Sequence, residues 1–410
     1  MVLGARFNKY RFASKLSGAG AKIFSTNLFA ISTTFMMFII VAHKENRATL
    51  GLLSLGLTIS ALSNQLLDGG LSQYVIRDQI RNSETESKFY WFLRVRTKRF
   101  FYVCTISFVL LSIRYHLKFA LLEVLLIFMN MAYGNITIRL QSQLKFNSLA
   151  KIQIANGFGF LTTILIYNFL QVHFHMQNIL IVPIVSLLPV FLMSLLYVRP
   201  LTFQKHQEEH KDSDKKFFSL AFFGNVITSN SPIVVFGAHS PALAGEYAII
   251  QQPALFFTPI SYVANVLSQS VFFSSSKDRL LKYFRVIKIA LVLSVPLIIM
   301  FGLGFTFVLD FLYKSKIDLV CIILLTGTGG IGIFTTLMLN LSLAFNRAAF
   351  STTVSWVQTI VVVSFSFTAT YVSNLRVMAF GEFFSRFLGI IVLLFLFNNL
   401  KMHEEQSETS

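Results

Sequence analysis

The chain has 410 residues, 54% of them hydrophobic, with a mean hydropathy of +0.65 and a formal net charge of +17. This composition excludes a soluble globular protein, whose surface would need more polar residues. The positive charge does not indicate nucleic-acid binding, because the basic residues lie beside apolar stretches, where they set membrane topology and face anionic headgroups.

Twelve apolar stretches follow one another, each near the length of about 20 residues that crosses a bilayer as a helix. The predicted spans are 21–41, 48–68, 98–113, 119–137, 149–170, 177–197, 217–237, 244–266, 286–309, 317–341, 350–372 and 377–398. The first stretch has full span length and lacks a small-residue cleavage site, so we expect it to remain a helix. The expected fold class is an all-α polytopic membrane protein with about 12 transmembrane helices.

Most basic residues lie in alternate gaps between these spans. The N-terminal segment and the even-numbered gaps contain 27 of the 35 Lys and Arg residues, and the odd-numbered gaps contain seven. Because positive residues accumulate on the cytoplasmic side, the pattern predicts a multi-pass inner-membrane protein with both termini in the cytoplasm. The basic, amphipathic stretch Val75–Phe101 is expected either to lie on the cytoplasmic leaflet or to anchor the topology.

The sequence contains no recognisable catalytic module. Phosphate-binding glycine loops, HExxH and GxSxG are absent, and all eight His residues lie in predicted loops or at span ends. Cys104 and Cys321 lie within spans without metal-ligand spacing, which is typical of small buried hydrophobic residues. We therefore expect a carrier and not an enzyme, with no cofactor and no metal.

Three short segments recur at a nearly constant distance along the chain, with offsets of 194, 196 and 199 residues. The matched pairs are Gly51 with Gly245, Leu71–Gln73 with Leu267–Gln269, and Leu144–Ala150 with Leu343–Ala349. The repeat predicts two parallel six-helix lobes, 1–198 and 217–398, joined by a cytoplasmic linker, 199–216, and followed by a cytoplasmic tail, 399–410. Parallel repeats place the substrate path at their interface, and rocking of the lobes gives alternating access.

The first span of each half is unusually polar. Asn27 in span one corresponds by its offset of 198 residues to Asn225 in span seven, which also contains Asn230. Such residues either line a water-filled cavity or form interhelical hydrogen bonds. Gln251 and Gln252 place two amides before a proline in span eight, where a break in the helix beside a cavity is expected.

Several ionisable residues fall within or at the ends of spans, where a charge is costly. Glu382 and Arg386, one helical turn apart, are expected to pair. That pair is either structural or releases Arg386 to an anionic headgroup while Glu382 takes a proton. Glu246 and Glu123 either titrate during transport or extend to the interface. Arg139 either binds a phosphate at the entrance or marks topology.

Three segments resemble the motifs of a known family. Leu66–Gln73 resembles the "LLDxGL" signature, Ala244–Ala248 resembles "xGxYS", and Leu339–Arg347 is similar to "LLNALGR". With its span number and loop lengths, the chain resembles bacterial polysaccharide and O-antigen flippases of the MATE-like multidrug/oligosaccharidyl-lipid/polysaccharide exporter (MOP) superfamily. The chain departs from the family in span seven, where Asn225 and Asn230 stand in a region that often carries Arg or Asp.

The resemblance implies a V of two lobes that moves an undecaprenyl-diphosphate-linked oligosaccharide to the periplasmic leaflet of the bacterial inner membrane. It also implies a polysaccharide polymerase and a chain-length regulator as partners, besides membrane lipids. An arginine fork suits the diphosphate, and amides and hydroxyls suit the sugars. The alternatives are a MATE-type drug/cation antiporter, which should have more acidic residues in its lumen, and a membrane glycan polymerase or transferase, which should have a long periplasmic loop.

Overall fold

A computed structural model describes residues 2–72, 75–76, 86–170, 178–197, 214–273, 275–313, 317–345 and 347–409. Most of the predicted linker 199–216 lies outside these ranges, as do Gln73 and Asn346 of the repeated segments. Within them the chain is all-helical and contains no strand.

Each predicted span coincides with helix, and span eight is divided into three pieces. The helices are α1 Val2–Lys44, α2 Arg47–Asp68, α3 Glu86–Arg114, α4 Leu117–Ser142, α5 Phe146–Phe169, α6 Ile181–Tyr197, α7 Asp214–His239, α8 Pro241–Ile250, α9 Gln252–Leu255, α10 Thr258–Phe273, α11 Lys277–Tyr313, α12 Leu319–Ala344, α13 Ala348–Tyr371 and α14 Leu375–Thr409. The predicted tail 399–410 therefore continues α14 up to Thr409, since neither Gly nor Pro interrupts it.

Nine segments of the described chain are long and apolar enough to cross a bilayer. They are α1 from Gly20, α2, α4, α5, α9 with α10, α11 from Asp278, α12, α13 from Ala349, and α14 to Asn398. The remaining predicted spans correspond to α3, α6 and α7. Charged residues in α3 and the 17-residue length of α6 account for two of these three.

The helices pack in two groups, which we call the N-lobe (α1–α6) and the C-lobe (α7–α14). In the N-lobe α1 packs on α5, α4 packs on α2, α3 and α6, and α5 packs on α6. In the C-lobe α13 packs on α7 and α14, and α12 packs on α10, α11 and α14. The lobes meet where α2 contacts α7 and α8 and where α1 contacts α10 and α11.

Connections that follow odd-numbered predicted spans contact one another at one end of the molecule, here called the Arg47 end. Lys44 donates to the carbonyl oxygens of Tyr167 and Asn168 at 3.0 and 3.1 Å. The Tyr115 hydroxyl donates to the Gly237 carbonyl at 2.8 Å, and Arg376 pairs with Asp318. The opposite end, which holds the start of α1 and the end of α14, is called the terminal end.

The start of α3 differs from the sequence prediction. Residues Glu86–Phe101 were expected in a surface stretch, but they form the first turns of α3. Phe89, Phe92 and Leu93 are buried against Leu71 and Val75, so apolar burial extends the helix beyond the hydrophobic span. As a result Arg96, interpreted from sequence as a loop charge, lies inside the N-lobe with only 2% of its surface exposed.

Candidate functional site

The broken span of the C-lobe forms one wall of the candidate site. The helix ends at Ile250, resumes for one turn at Gln252 and begins again at Thr258. Pro253 has no N–H to donate within a helix, and the buried Gln252 amide donates to the Ala248 carbonyl at 2.9 Å. The predicted break beside Gln251 and Gln252 is thus present. Opposite it, a Cβ on Gly329 would lie 2.9 Å from Ala254, so glycine permits the close approach of α12.

A cavity of about 360 Å³ lies beside this break, and we call it the C-lobe cavity. Its polar lining consists of Thr228, Ser229, Gln251, Thr258, Ser261, Thr328, Thr336, Glu382 and Arg386. These side chains come from α7, α10, α12, α14 and the α8–α9 junction. Hydroxyls and amides therefore surround one guanidinium and one carboxyl group, a combination suited to a ligand with hydroxyls and an anionic group.

The Arg386 guanidinium is held by long contacts only. Its Nη1 lies 3.5 Å from Gln358 Oε1 and its Nη2 lies 3.4 Å from Ser229 Oγ. Charge-assisted hydrogen bonds of arginine are normally about 2.7–2.9 Å long. Within the described chain Arg386 therefore retains donor capacity on the cavity side, which an anionic oxygen would satisfy.

Glu382 takes a different partner from the one predicted. The predicted direct pair with Arg386 does not form, and Glu382 Oε1 accepts a hydrogen bond from the Tyr247 hydroxyl. Tyr247 is fully buried and packs edge to face on Phe236, which fixes its phenol against Glu382. The two charged groups share one wall of the cavity, with the carboxyl turned toward α8 and the guanidinium toward α7 and α13.

None of the three asparagines predicted for the substrate path in the first span of each half lines the C-lobe cavity. Asn230 donates to Gln65 Oε1 at 2.9 Å and so joins α7 to α2 across the lobes. Asn225 is half-buried on α7, while its neighbours Thr228 and Ser229 line the cavity. Asn27 is half-buried on α1 and is not part of the C-lobe cavity lining.

The remaining predicted site residues lie elsewhere. Glu123 is fully buried in the N-lobe, and neither of its carboxyl oxygens has a hydrogen-bond partner within the described chain. Glu246 pairs with Arg47 across the lobes at the Arg47 end. Arg139 is half-buried near the terminal end, with its guanidinium 5.7 Å from the centre of the Phe89 ring. None of these three residues lines the C-lobe cavity.

Three features of the site were not predicted from the sequence. Tyr247 is 135 residues from Glu382, and no local pattern links them. Thr328 and Thr336 line the cavity from α12, and their hydroxyls donate back to the Leu324 and Gly332 carbonyls of the same helix at 3.0 and 2.9 Å. The cluster of glycines at 327, 329, 330 and 332 is the one sequence signal that would have marked a close approach here.

The N-lobe contains a second buried arginine that the sequence interpretation missed. Arg96 donates to Asn135 Oδ1 at 2.5 Å and to Asn64 Oδ1 at 3.3 Å. Its guanidinium also lies 5.4 Å from the centre of the Phe92 ring. Asn64 in turn donates to the Ser60 carbonyl at 3.1 Å. Amides from α2 and α4 thus enclose this cation in a packed network.

The lobes are joined at the Arg47 end by a close crossing of α2 and α8. A Cβ on Gly51 would overlap the Pro241 carbonyl, and one on Gly245 would overlap the Arg47 carbonyl. Only glycine allows two helices to approach this closely. Two residues matched as repeat equivalents in the sequence therefore contact each other in the structure.

The segment with the "LLDxGL" pattern forms a capped helix end. Gly69 and Gly70 have φ of 55° and 78°, and the buried Asp68 carboxylate accepts from the Ser72 amide at 3.2 Å and hydroxyl at 2.7 Å. Arg99 donates to the Leu67 and Asp68 carbonyls at 3.3 and 3.2 Å. The motif therefore terminates α2 and ties it to α3.

No family model and no curated protein matches the chain. Several solved structures do match it over nearly their whole length. An outward-facing multidrug resistance MATE family transporter of the MOP superfamily is 13% identical with a TM-score of 0.64, over 96% of this chain and 97% of that one. The inward-facing conformation of such a transporter is 12% identical with a TM-score of 0.62, over 94% and 96%.

A third match is a MOP superfamily transporter from Pyrococcus furiosus, described as having a binding pocket of reversed polarity. It is 11% identical with a TM-score of 0.58, over 94% of this chain and 95% of that one. These identities establish the arrangement of helices and leave substrate and coupling open. The expected fold class is confirmed: the chain has the all-helical fold of MATE-type transporters of the MOP superfamily.

Proposed function

We propose that the chain is a membrane transporter that moves a lipid-linked anionic oligosaccharide between leaflets by alternating access of its two lobes. The observation that carries the proposal is the C-lobe cavity. It presents an arginine with long contacts only, together with hydroxyls and amides, and this set matches a diphosphate joined to sugars.

The polar head of such a lipid cannot cross hydrocarbon unaided, because an unpaired polar group there costs several kcal/mol. A cavity of 360 Å³ encloses part of the head and not a whole oligosaccharide, so the space between the lobes must hold the rest. The apolar tail would remain in the bilayer.

The basic bias of the even gaps favours an orientation with the terminal end in the cytoplasm and the Arg47 end in the periplasm. Lipid-linked repeat units would then be taken up at the terminal end. The Gly51–Gly245 crossing and the Arg47–Glu246 pair would close the periplasmic end during uptake. An undecaprenyl-diphosphate-linked repeat unit of a surface polysaccharide is the substrate that the motif resemblance favours.

The second candidate is a drug/cation antiporter, since multidrug transporters share this fold. The guanidinium in the cavity makes only long contacts and weakens the binding of a lipophilic cation through like-charge repulsion, which the Glu382 carboxyl in the same lining opposes in part. A glycan polymerase or transferase has no support from the fold, because the matched structures are transporters over nearly the full chain.

The test uses purified protein in liposomes that contain a fluorescent undecaprenyl-diphosphate-linked disaccharide. Flipping is read as the fraction of fluorophore that an impermeant reductant can reach, and ethidium uptake is measured in parallel. We expect flipping that falls about tenfold or more in Arg386→Met, since bidentate contacts to a charged group are among the stronger ones.

The matched control is Arg279→Met, which removes an exposed arginine of α11 and should leave flipping unchanged. Ethidium transport without flipping would favour the antiporter. Equal flipping by wild type and Arg386→Met would remove the C-lobe cavity from the proposed substrate path.

A further inference from the structure

A second cavity lies in line with the C-lobe cavity, at the Arg47 end. It has a volume of about 460 Å³, and we call it the vestibule. Arg47, Glu246, Asp318 and Arg376 line it, with Cys321 also in its lining. The vestibule is therefore rich in charged groups, unlike the C-lobe cavity.

The partition between the two cavities is thin. On α12 the vestibule residue Cys321 and the cavity residue Thr328 are seven positions apart, which corresponds to about 10 Å of helix. On α8 the change occurs between consecutive residues, because Ile250 lines the vestibule and Gln251 lines the C-lobe cavity. Two helical turns thus separate water-accessible space from the candidate site.

Among the described residues this partition is mainly apolar; its buried polar groups include Thr326, which donates to the Ile322 carbonyl at 2.6 Å, and the Tyr247–Glu382 pair. Leu325, Met378 and Ala379 are completely buried in it, in the same hydrophobic cluster as Tyr247. The Tyr247 hydroxyl donates to Glu382, whose other side belongs to the C-lobe cavity. The Tyr247–Glu382 hydrogen bond is therefore a polar contact within this mainly apolar partition.

Glu382 lines the C-lobe cavity on one side and is faced by ionisable or polar groups on the others. Tyr247 faces it from α8, Cys321 lies behind that phenol on α12, and Arg386 stands on the cavity side of α14. The side chains of α7 and α13 that contact Arg386 are neutral, namely Ser229 and Gln358. On the vestibule side the charged groups are Arg47, Glu246, Asp318 and Arg376.

We propose that Tyr247 gates a proton route that connects the vestibule to the Glu382 carboxyl. When the phenol moves aside, a hydronium ion from the vestibule gives its proton to a carboxylate oxygen of Glu382 and leaves as water. The carboxylate becomes a neutral carboxylic acid, and the reverse step releases the proton to water. The route makes Glu382 exchange protons with the Arg47 side of the membrane, and its part in a transport cycle rests on the proposed function.

The experiment uses the full-length protein in sealed right-side-out and inverted membrane vesicles. Dicyclohexylcarbodiimide reacts with protonated carboxyl groups in apolar surroundings, and labelling of Glu382 is quantified by peptide mass spectrometry. The solution on one side of the vesicle membrane is acidified at a time, while the solution on the other side is kept alkaline. We expect labelling to follow the acidity of the compartment at the Arg47 end.

Tyr247→Phe removes the hydroxyl that donates to the Glu382 carboxylate, so the partition loses this hydrogen bond. Labelling of Glu382 should rise about tenfold at a given acidity, the size expected for one hydrogen bond to a charged group. The matched control is Tyr313→Phe, which alters another tyrosine of the C-lobe and should label like wild type.

Labelling that follows the compartment at the terminal end would overturn the proposal, as would identical labelling of wild type and Tyr247→Phe. Should Tyr247→Phe not fold, the sidedness of wild-type labelling decides the question by itself. No transported substrate is needed for these measurements, so their failure is distinguishable from a failure of the proposed flipping.

Discussion

Two arginines buried among the helices show how the lobes differ. Arg96 of the N-lobe is 2% exposed and bonded to Asn64 and Asn135, with an aromatic ring against its guanidinium. Arg386 of the C-lobe is half-buried, faces a cavity and has contacts no shorter than 3.4 Å. The same residue type thus joins helices in one lobe and remains available to a ligand in the other.

The two arginines differ in their hydrogen bonds because different side chains surround them. In the N-lobe amides from α2 and α4 come close enough to α3 to accept from both Nη atoms of the guanidinium, although its buried Nε has no partner within the described chain. Gly134 leaves room for the guanidinium, with a would-be Cβ 3.3 Å from Arg96. In the C-lobe the broken span withdraws the helix that would have filled the same role. A buried cation therefore indicates a binding site only where its donors are not already used.

The sharpest way to break this comparison is to remove each arginine. Arg96→Met should lower the free energy of unfolding by about 3 kcal/mol, because it leaves buried amide oxygens without a donor. Arg386→Met should change it by less than about 1 kcal/mol, since long contacts contribute little. Denaturant unfolding of the purified protein in detergent measures both.

Arg94→Met is the control for the first variant, because Arg94 is exposed on the same helix and should be neutral. Equal losses of stability in Arg96→Met and Arg386→Met would show that both arginines are structural.

A smaller effect is expected from keeping the charge and changing its shape. Arg386→Lys should weaken binding of undecaprenyl diphosphate about tenfold, because an ammonium group cannot reproduce the bidentate fork. Arg96→Lys, where it folds, should bind like wild type because Arg96 does not face the ligand. Equilibrium titration followed by intrinsic fluorescence measures both, and unchanged binding in Arg386→Lys would argue against diphosphate recognition there.

Glycines of the two lobes should also respond differently to the same change. Gly69→Ala should destabilise the protein by about 1–2 kcal/mol, since φ is 55° and the new Cβ would overlap Arg99. Gly304 of α11 has open space around it, so Gly304→Ala should be neutral or stabilising by up to about 1 kcal/mol. Thermal unfolding measures both variants. Equal decreases of the midpoint temperature in Gly69→Ala and Gly304→Ala would contradict the argument that only Gly69 needs its backbone conformation and space.

The smallest effect concerns the surface pair Asp318–Arg376 of the C-lobe. Burial raises the pKa of Asp318, but hydrogen bonds from Arg376 and from backbone amides outweigh it and leave that pKa below its usual value of 3.8. A lowered pKa stabilises the folded state above the ordinary pKa, and this contribution is lost as pH falls through the lowered value.

Asp318→Asn should therefore cost less than about 1 kcal/mol near neutral pH, as exposed pairs do, and nothing in strong acid. Thermal unfolding as a function of pH measures the difference between variant and wild type. A difference that persists unchanged in strong acid would show that the pair is not its source.

The sequence predicted the helices well because each span is a continuous apolar run, and it predicted the break because Pro253 follows two glutamines. The start of α3 was missed because a hydropathy scale treats every arginine as exposed, whereas Arg96 is buried and donates to amides from two other helices. Tyr247 and Glu382 were not connected for a similar reason. Their contact depends on the tertiary arrangement that brings the Tyr247 side chain of α8 to α14, and no local spacing encodes a contact over 135 residues.

The Gly51–Gly245 crossing has a consequence for how such a chain can change over time. In a homodimer with a two-fold axis, a residue on the axis meets its own copy, so any enlargement counts twice. Once two copies are fused into one chain, each glycine mutates separately, yet each still faces the other's backbone. Neither glycine can therefore be replaced by a larger residue, even though the two positions mutate separately. Drift between the halves should therefore be slowest at this pair and faster in the C-lobe cavity, whose lining comes from one half.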